Sequence, residues 1–326
     1  MKLKEFAIVP MVMKRRFLTT ALLGLICLIA LIGTITSGQT QAVRDFDIPR
    51  LRAKPAATET QPTPISNDSG ISTNCALQPE ISKSRSVPPR TRINFNVPLS
   101  RFRQEITPPA NPDVPDASNK ANTGYTPREE VALIDSSNYG DRFLRDVNGN
   151  PATLEPIVVL HETVGSANSA INFFRNYHPN DADQASYHSL IRLNGTVVYL
   201  VPPDKRAYGA GNSVFIGPNG VETVQTKPKF PPSVNNFAYH ISLETPADGE
   251  HNGSRHSGYT QAQYQSLAWL VAKTGVPDER ITTHKGVDRS RSRMDPRSFN
   301  TDRFFKLLST FPRTNEISIR CTDPTT

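Results

Sequence analysis

The sequence predicts an α/β fold: a mixed central β-sheet flanked by helices, preceded by a Pro-rich extended N-terminal region. Three observations predict it. Residues 157–161, Ile-Val-Val-Leu-His after Pro156, form a continuous apolar run of the kind shown by a strand buried on both faces. Asn194-Gly195 between two apolar runs is the strongest short signal for a β-hairpin. Helical and strand patterns alternate after about residue 130, whereas thirteen of the 28 prolines fall between residues 43 and 130. Proline fixes its own φ and biases the preceding residue to extended geometry, so that earlier stretch stays extended without burying a core.

The elements follow in order. Residues 93–97 alternate in polarity and read as one strand, packed either locally or on the main domain. After the strand ending at His161, Ser166 is placed to cap a helix whose apolar positions Ala170, Phe173, Phe174 and Tyr177 recur at helical spacing. Residues 186–193 and 196–201 are the two antiparallel strands of the hairpin, and 238–245 a further strand. Thr260 with Gln263 forms a capping box for a helix carrying Tyr264, Leu267, Ala268 and Val271 on one face; Gly275 and Pro277 end it. Residues 281–284 are a short strand, and 302–311 a closing helix that buries Phe304, Phe305, Leu308 and Phe311. The expected organisation is therefore a signal peptide or membrane anchor (1–42), an extended linker (43–130), a folded domain (131–313) and a C-terminal tail (314–326).

The net charge of +7 is concentrated at the start, where Lys2, Lys4, Lys14, Arg15 and Arg16 stand against Glu5 within the first 42 residues. The small remaining surplus and the absence of a basic run interleaved with aromatics exclude a nucleic-acid partner. Residues 17–35 carry no charge and follow Lys14-Arg15-Arg16, the pattern of an export signal. Thr40-Gln41-Ala42 offers a cleavage site, and the same run is long enough to stay as an anchor. The expected location is thus the periplasm, cell envelope or extracellular space, with membrane contact only through this segment if it is uncleaved. Export leaves Cys75 and Cys321, an even count that suggests one disulfide in an oxidising compartment; two free thiols are the alternative. A monomer is expected.

His161 and His284 both end expected strands and are followed by polar loops, where open α/β sheets place their sites. Two such histidines with a nearby carboxylate are a candidate zinc site. The stretch from His284 to Asp295-Pro296, together with Ile157-Val-Val-Leu-His161-Glu-Thr, the hairpin Ser186-Tyr-His-Ser-Leu-Ile-Arg-Leu-Asn-Gly and Ile241-Ser-Leu-Glu244, resembles the type-2 N-acetylmuramoyl-L-alanine amidases and the related peptidoglycan recognition proteins. The resemblance covers roughly residues 135–311.

That resemblance implies one Zn²⁺ per chain, held by His161, His284 and Asp295 with a fourth position open to water, the arrangement of catalytic zinc. It gives Glu244 the role of general base and acid, and Tyr187 and Arg293 the role of stabilising the oxyanion or orienting the carbonyl. The implied substrate is peptidoglycan or muropeptide, cleaved at the lactyl–L-alanine amide. The alternative is a recognition module that binds the same ligand without turnover, and a third reading is a structural envelope protein with a Pro-rich arm. Two departures bear on this: position 293 is Arg where many active members have Lys, and Gly209 stands where relatives often carry a histidine. His240 shares a strand face with Glu244 and is a candidate substrate contact, with burial as the alternative. His251, in the polar loop after that strand, and Arg291 are candidate contacts to sugar or to stem-peptide carboxylates. His188 is expected to be packed.

Overall fold

The computed structural model describes residues 75–79, 97–105, 124–218 and 220–320, all within one compact unit spanning residues 67–326. The export segment, residues 93–96 of the expected first strand and Cys321 lie outside the described residues. No helix among the described residues is long and apolar enough to cross a membrane. Cys75 is disulfide-bonded.

Six strands make the main sheet: β1 (Glu129–Val131), β5 (Val197–Tyr199), β4 (Ser189–Ile191), β9 (Ala238–Leu243), β3 (Ile157–Glu162) and β10 (Ile281–Thr283), in that spatial order. Only β4 and β5 run antiparallel, as the two arms of the Asn194-Gly195 hairpin, so the sheet is mixed as expected. Gly195 adopts φ 86°, the left-handed conformation the turn requires. Two small antiparallel pairs stand apart: β2 (Tyr139–Asp141) with β6 (Lys205–Ala207), and β7 (Phe215–Gly217) with β8 (Gly220–Glu222).

Strand alternation sorts the core into two sides. Val158 and Leu160 of β3 and Tyr239, Ile241 and Leu243 of β9 pack under α2 (Gln261–Ala272) and α4 (Thr301–Leu308), against Leu267, Leu270, Phe304 and Leu308. The capping box forms as expected, with Thr260 accepting from the Gln263 amide and the Gln263 side chain from the Thr260 amide. On the other side, Ile157, Val159 and Ala238 meet Phe215, Val234 and Val287, while α1 (Ala167–Arg175) covers Leu190 and Val198. The four-residue α3 (His284–Val287) follows β10 directly.

Three expectations change. In α1 the buried stripe is Ala167, Ile171 and Phe174; Phe173 is 44% exposed, and the helix ends before Tyr177. The Ser166 cap sets the helical phase from Ala167, which puts Ile171 rather than Ala170 and Phe173 at the sheet. The linker reading also fails for residues 97–105: Phe102 is 1% exposed and stacks on Tyr199 with ring centroids 5.3 Å apart. Arg103 then donates to Glu129 at 2.6 Å and Glu316 at 3.2 Å, and Lys273 reaches Glu316 at 2.6 Å. Nor do residues 314–320 of the expected tail stand apart, since Ile317 and Ile319 are buried in the same core as Phe102.

The folded unit therefore includes residues 97–105 of the proline-rich region and residues past 313. Phe102→Leu is expected to lower stability by about 1 kcal/mol, because the site cannot fully close around the smaller side chain. Thermal denaturation reads it; an unchanged midpoint would mean the segment is not part of the cooperative unit.

Candidate metal centre

His161 is the fifth residue of β3 and shares the face of Ile157 and Val159. His284 starts α3 at the carboxyl end of β10, which runs parallel beside β3, so adjacent strand ends deliver the two imidazoles. Thr283 caps α3 by accepting from the Gly286 amide, fixing the turn that carries His284. Asp295 comes from the loop before α4, and its carbonyl accepts from the Lys285 amide at 3.0 Å, which fastens that loop to α3.

The side chains converge. Oδ2 of Asp295 lies 3.3 Å from Nδ1 of His161 and 3.1 Å from Nδ1 of His284, with the two imidazole centroids 4.6 Å apart. One ligand atom from each of the three residues falls within 4.8 Å of the others. Burial is the main reason that His161 titrates low, at about 4, so the ring is neutral near pH 7. Burial pushes the Asp295 carboxyl the other way, but contacts from His161 and His284 outweigh it and hold the group below the usual carboxylate range. Nδ1 of His161 is buried and has no hydrogen-bond partner among the described residues, although a carboxylate oxygen faces it. Two imidazole nitrogens and a carboxylate fit a zinc-like cation, and that orphaned nitrogen is the atom such a cation would satisfy.

The cluster opens onto a cavity of about 650 Å³, whose walls include Phe173, Tyr187, Tyr208, Gly209, Asn212, Phe230, Lys227 and Arg293. Tyr187 and Arg293 are thus both brought to the site. The Tyr187 ring lies 4.9 Å from that of His161, its hydroxyl approaches the Glu162 carbonyl at 3.5 Å, and burial raises its pKa. His188 is packed beneath, stacked on His240 with centroids 5.7 Å apart. Arg293 is held from its backbone: Asp288 accepts from the amides of Ser290, Ser292 and Arg293.

Four expected site residues are placed elsewhere. Glu244 follows β9, and its two carboxylate oxygens accept from the amides of Ala167 at 2.7 Å and Leu193 at 2.8 Å. It joins the start of α1 to the hairpin loop and is not on the cavity wall, which removes the geometric basis for a general base. His240 is fully buried and cannot contact substrate. His251 and Arg291 are exposed, and neither lines the cavity. The glycine at 209 also has a reason: a Cβ there would come within 2.5 Å of the His240 ring.

Sequence reasoning missed Glu162 and its pairing with Arg297. Glu162 is 2% exposed, next to His161; it accepts from the Arg297 guanidinium, from His256 Nε2 at 3.0 Å and from the Tyr259 hydroxyl at 2.9 Å. A charge inside a run buried on both faces requires partners, and that was the available signal.

Residues 153–298 match the family model described as N-acetylmuramoyl-L-alanine amidase. This segment is similar to that amidase family. The matched segment contains His161, Tyr187, His284, Arg293 and Asp295. Over 130 residues the chain is 31% identical to the 1,6-anhydro-N-acetylmuramyl-L-alanine amidase AmpD of Salmonella typhimurium, which is 39% of this chain and 58% of that protein. The match to AmpD of Citrobacter freundii is 32% over 142 residues, 41% of this chain and 65% of that protein. The chain thus spans 58% and 65% of the length of these two curated relatives. A solved structure of a selenomethionine derivative of AmpD aligns with 58% of this chain and 98% of its own, at 26% identity and a TM-score of 0.39.

Within the matched segment, Glu244→Ala is expected to cost about 1–2 kcal/mol, the loss of a cap on α1, while leaving metal affinity unchanged. A thermal midpoint and a metal titration on the same sample check it. An unchanged midpoint with abolished activity would instead return Glu244 to chemistry.

Proposed function

We propose that this chain is an exported, zinc-dependent N-acetylmuramoyl-L-alanine amidase that hydrolyses the lactyl–L-alanine amide of peptidoglycan or muropeptides. The observation that carries the reading is the convergence of His161, His284 and Asp295, with His284 and Asp295 lining a large cavity inside the segment that matches the amidase family and His161 buried behind them. The uncharged run at 17–35 behind Lys14-Arg15-Arg16 supports export, and an oxidising compartment suits the disulfide at Cys75, for which Cys321 is the proposed partner.

Zinc held by His161, His284 and Asp295 supplies a Lewis acid for the amide carbonyl and lowers the pKa of water toward about 7. The chain's own groups do the rest. Asp295 is the one carboxylate among the three groups that would hold the cation, so a bound Zn²⁺ would keep net positive charge toward a developing oxyanion. Tyr187, kept protonated by burial, is a hydrogen-bond donor beside His161 and stabilises that oxygen as it gains charge. Arg293, exposed on the wall, binds carboxylates of the stem peptide or shares the oxyanion. Phe173, Tyr208 and Phe230 offer ring faces to the sugar. Hydrolysis breaks the C–N bond, leaving a carboxylate on the lactyl group and a free amino terminus on L-alanine.

Recognition without turnover is the second reading, and one observation favours it: Glu244 is occupied by the amides of Ala167 and Leu193. Zinc content of the purified chain, measured beside release of L-alanine amino termini from peptidoglycan, separates the two. One zinc with amine release supports the amidase, and one zinc with wall binding but no release supports recognition. No zinc and no release would sink both.

A further inference from the structure

We infer that His240 is a positioning residue for the metal centre: its Nδ1 accepts the Nε2 proton of His161 and so leaves Nδ1 of His161 as the coordinating nitrogen. The inference rests on the proposed metal site and adds the group that fixes how its most buried ligand is presented. Nδ1 of His240 lies 2.9 Å from Nε2 of His161, on the neighbouring strand. Nε2 of His240 has no partner among the described residues, so the side chain's one polar contact is with His161.

A neutral imidazole carries one proton, so the nitrogen that coordinates must be the one without it. Nδ1 of His161 faces Asp295 and the cluster, which requires the proton on Nε2, and an acceptor must then stand at Nε2. His240 Nδ1 is that acceptor, which places the proton of His240 on its own Nε2. Such outer partners set the tautomer and orientation of metal-binding histidines in general, although they are usually carboxylates or carbonyls.

The ring cannot turn away. Its own backbone amide donates to His188 Nδ1 at 2.9 Å, and the His188 ring stacks on it at an interplanar angle of 9°. His188 Nε2 in turn donates to the Lys205 carbonyl at 3.0 Å. Gly209 closes the other side, leaving room for the imidazole only because it lacks a Cβ.

The test is zinc titration of the full chain with ¹⁵N-labelled histidine rings, for wild type, His240→Phe and His240→Asn. In zinc-loaded wild type, the ring spectra should show His161 protonated on Nε2 and His240 protonated on Nε2. His240→Phe, which keeps a ring without the acceptor, should bind zinc about 10–100-fold more weakly. His240→Asn, whose Oδ1 takes the place of Nδ1, should recover most of that loss. His240 protonated on Nδ1 in the loaded wild type, or a folded Phe variant with unchanged zinc affinity, overturns the proposal. If the Phe variant does not fold, the wild-type ring spectrum still decides. Wild type that takes up no zinc overturns the metal site itself and the positioning role with it, a result distinct from zinc uptake that is indifferent to His240.

Discussion

Asp295→Ala is expected to lower both zinc affinity and release of L-alanine amino termini by at least about 10³-fold, since metal-supplied charge stabilisation is worth several kcal/mol. Asp295 supplies the only negative charge among the three converging ligands, and its Oδ2 lies within 3.3 Å of both imidazole Nδ1 atoms. Without it a cation meets two neutral nitrogens and no countercharge, too few ligands for a stable open site. Asp295→Asn separates the roles of charge and shape, because it keeps the volume and an oxygen while removing the charge; it should lose nearly as much. The carboxylate is partly exposed, so the fold should survive both changes. Metal content by elemental analysis, with amine release on peptidoglycan, reads the result. A folded Asp295→Ala protein that retains one zinc and its turnover would sink the ligand assignment.

The second large effect is on stability. Arg297→Met is expected to cost about 3–5 kcal/mol, the range for removing one partner from a buried ion pair. Arg297 is 4% exposed, and besides Glu162 it donates to the carbonyls of His251, Gly253 and Gly249, each at 2.7 Å. Its loss leaves a carboxylate buried without its cation and three carbonyls without a donor. At roughly 2–4 °C per kcal/mol for a domain of this size, the thermal midpoint should fall by about 10 °C. Adding Glu162→Gln should restore part of the loss, because the stranded charge is removed with its partner. A single Arg297→Met variant as stable as wild type would show that the pair contributes nothing.

Much of this was legible locally. The capping box at Thr260, the turn at Asn194-Gly195 and the apolar run ending at His161 each depend on neighbours within a few residues, and each forms as read. The pairing of Glu162 with Arg297 spans 135 positions, beyond any local spacing. Glu244 is placed elsewhere for a different reason: its role came from the resemblance alone, whereas β9 ends at Leu243, two residues short of the expected strand, and two free amides take its carboxylate. Proline density misled at residues 97–105, because an extended segment can still lay one aromatic, Phe102, into a neighbouring core.

The contact between Gly209 and His240 sets a rule of mutual exclusion. A Cβ on residue 209 would come within 2.5 Å of the His240 ring, so bulk can enter this corner from the loop or from the strand, but not from both. Substitutions at the two positions should therefore be anticorrelated wherever homologous chains are compared. Grafting a histidine onto the loop at 209 calls for the simultaneous change His240→Gly; either step taken alone passes through an overfilled or a hollow intermediate.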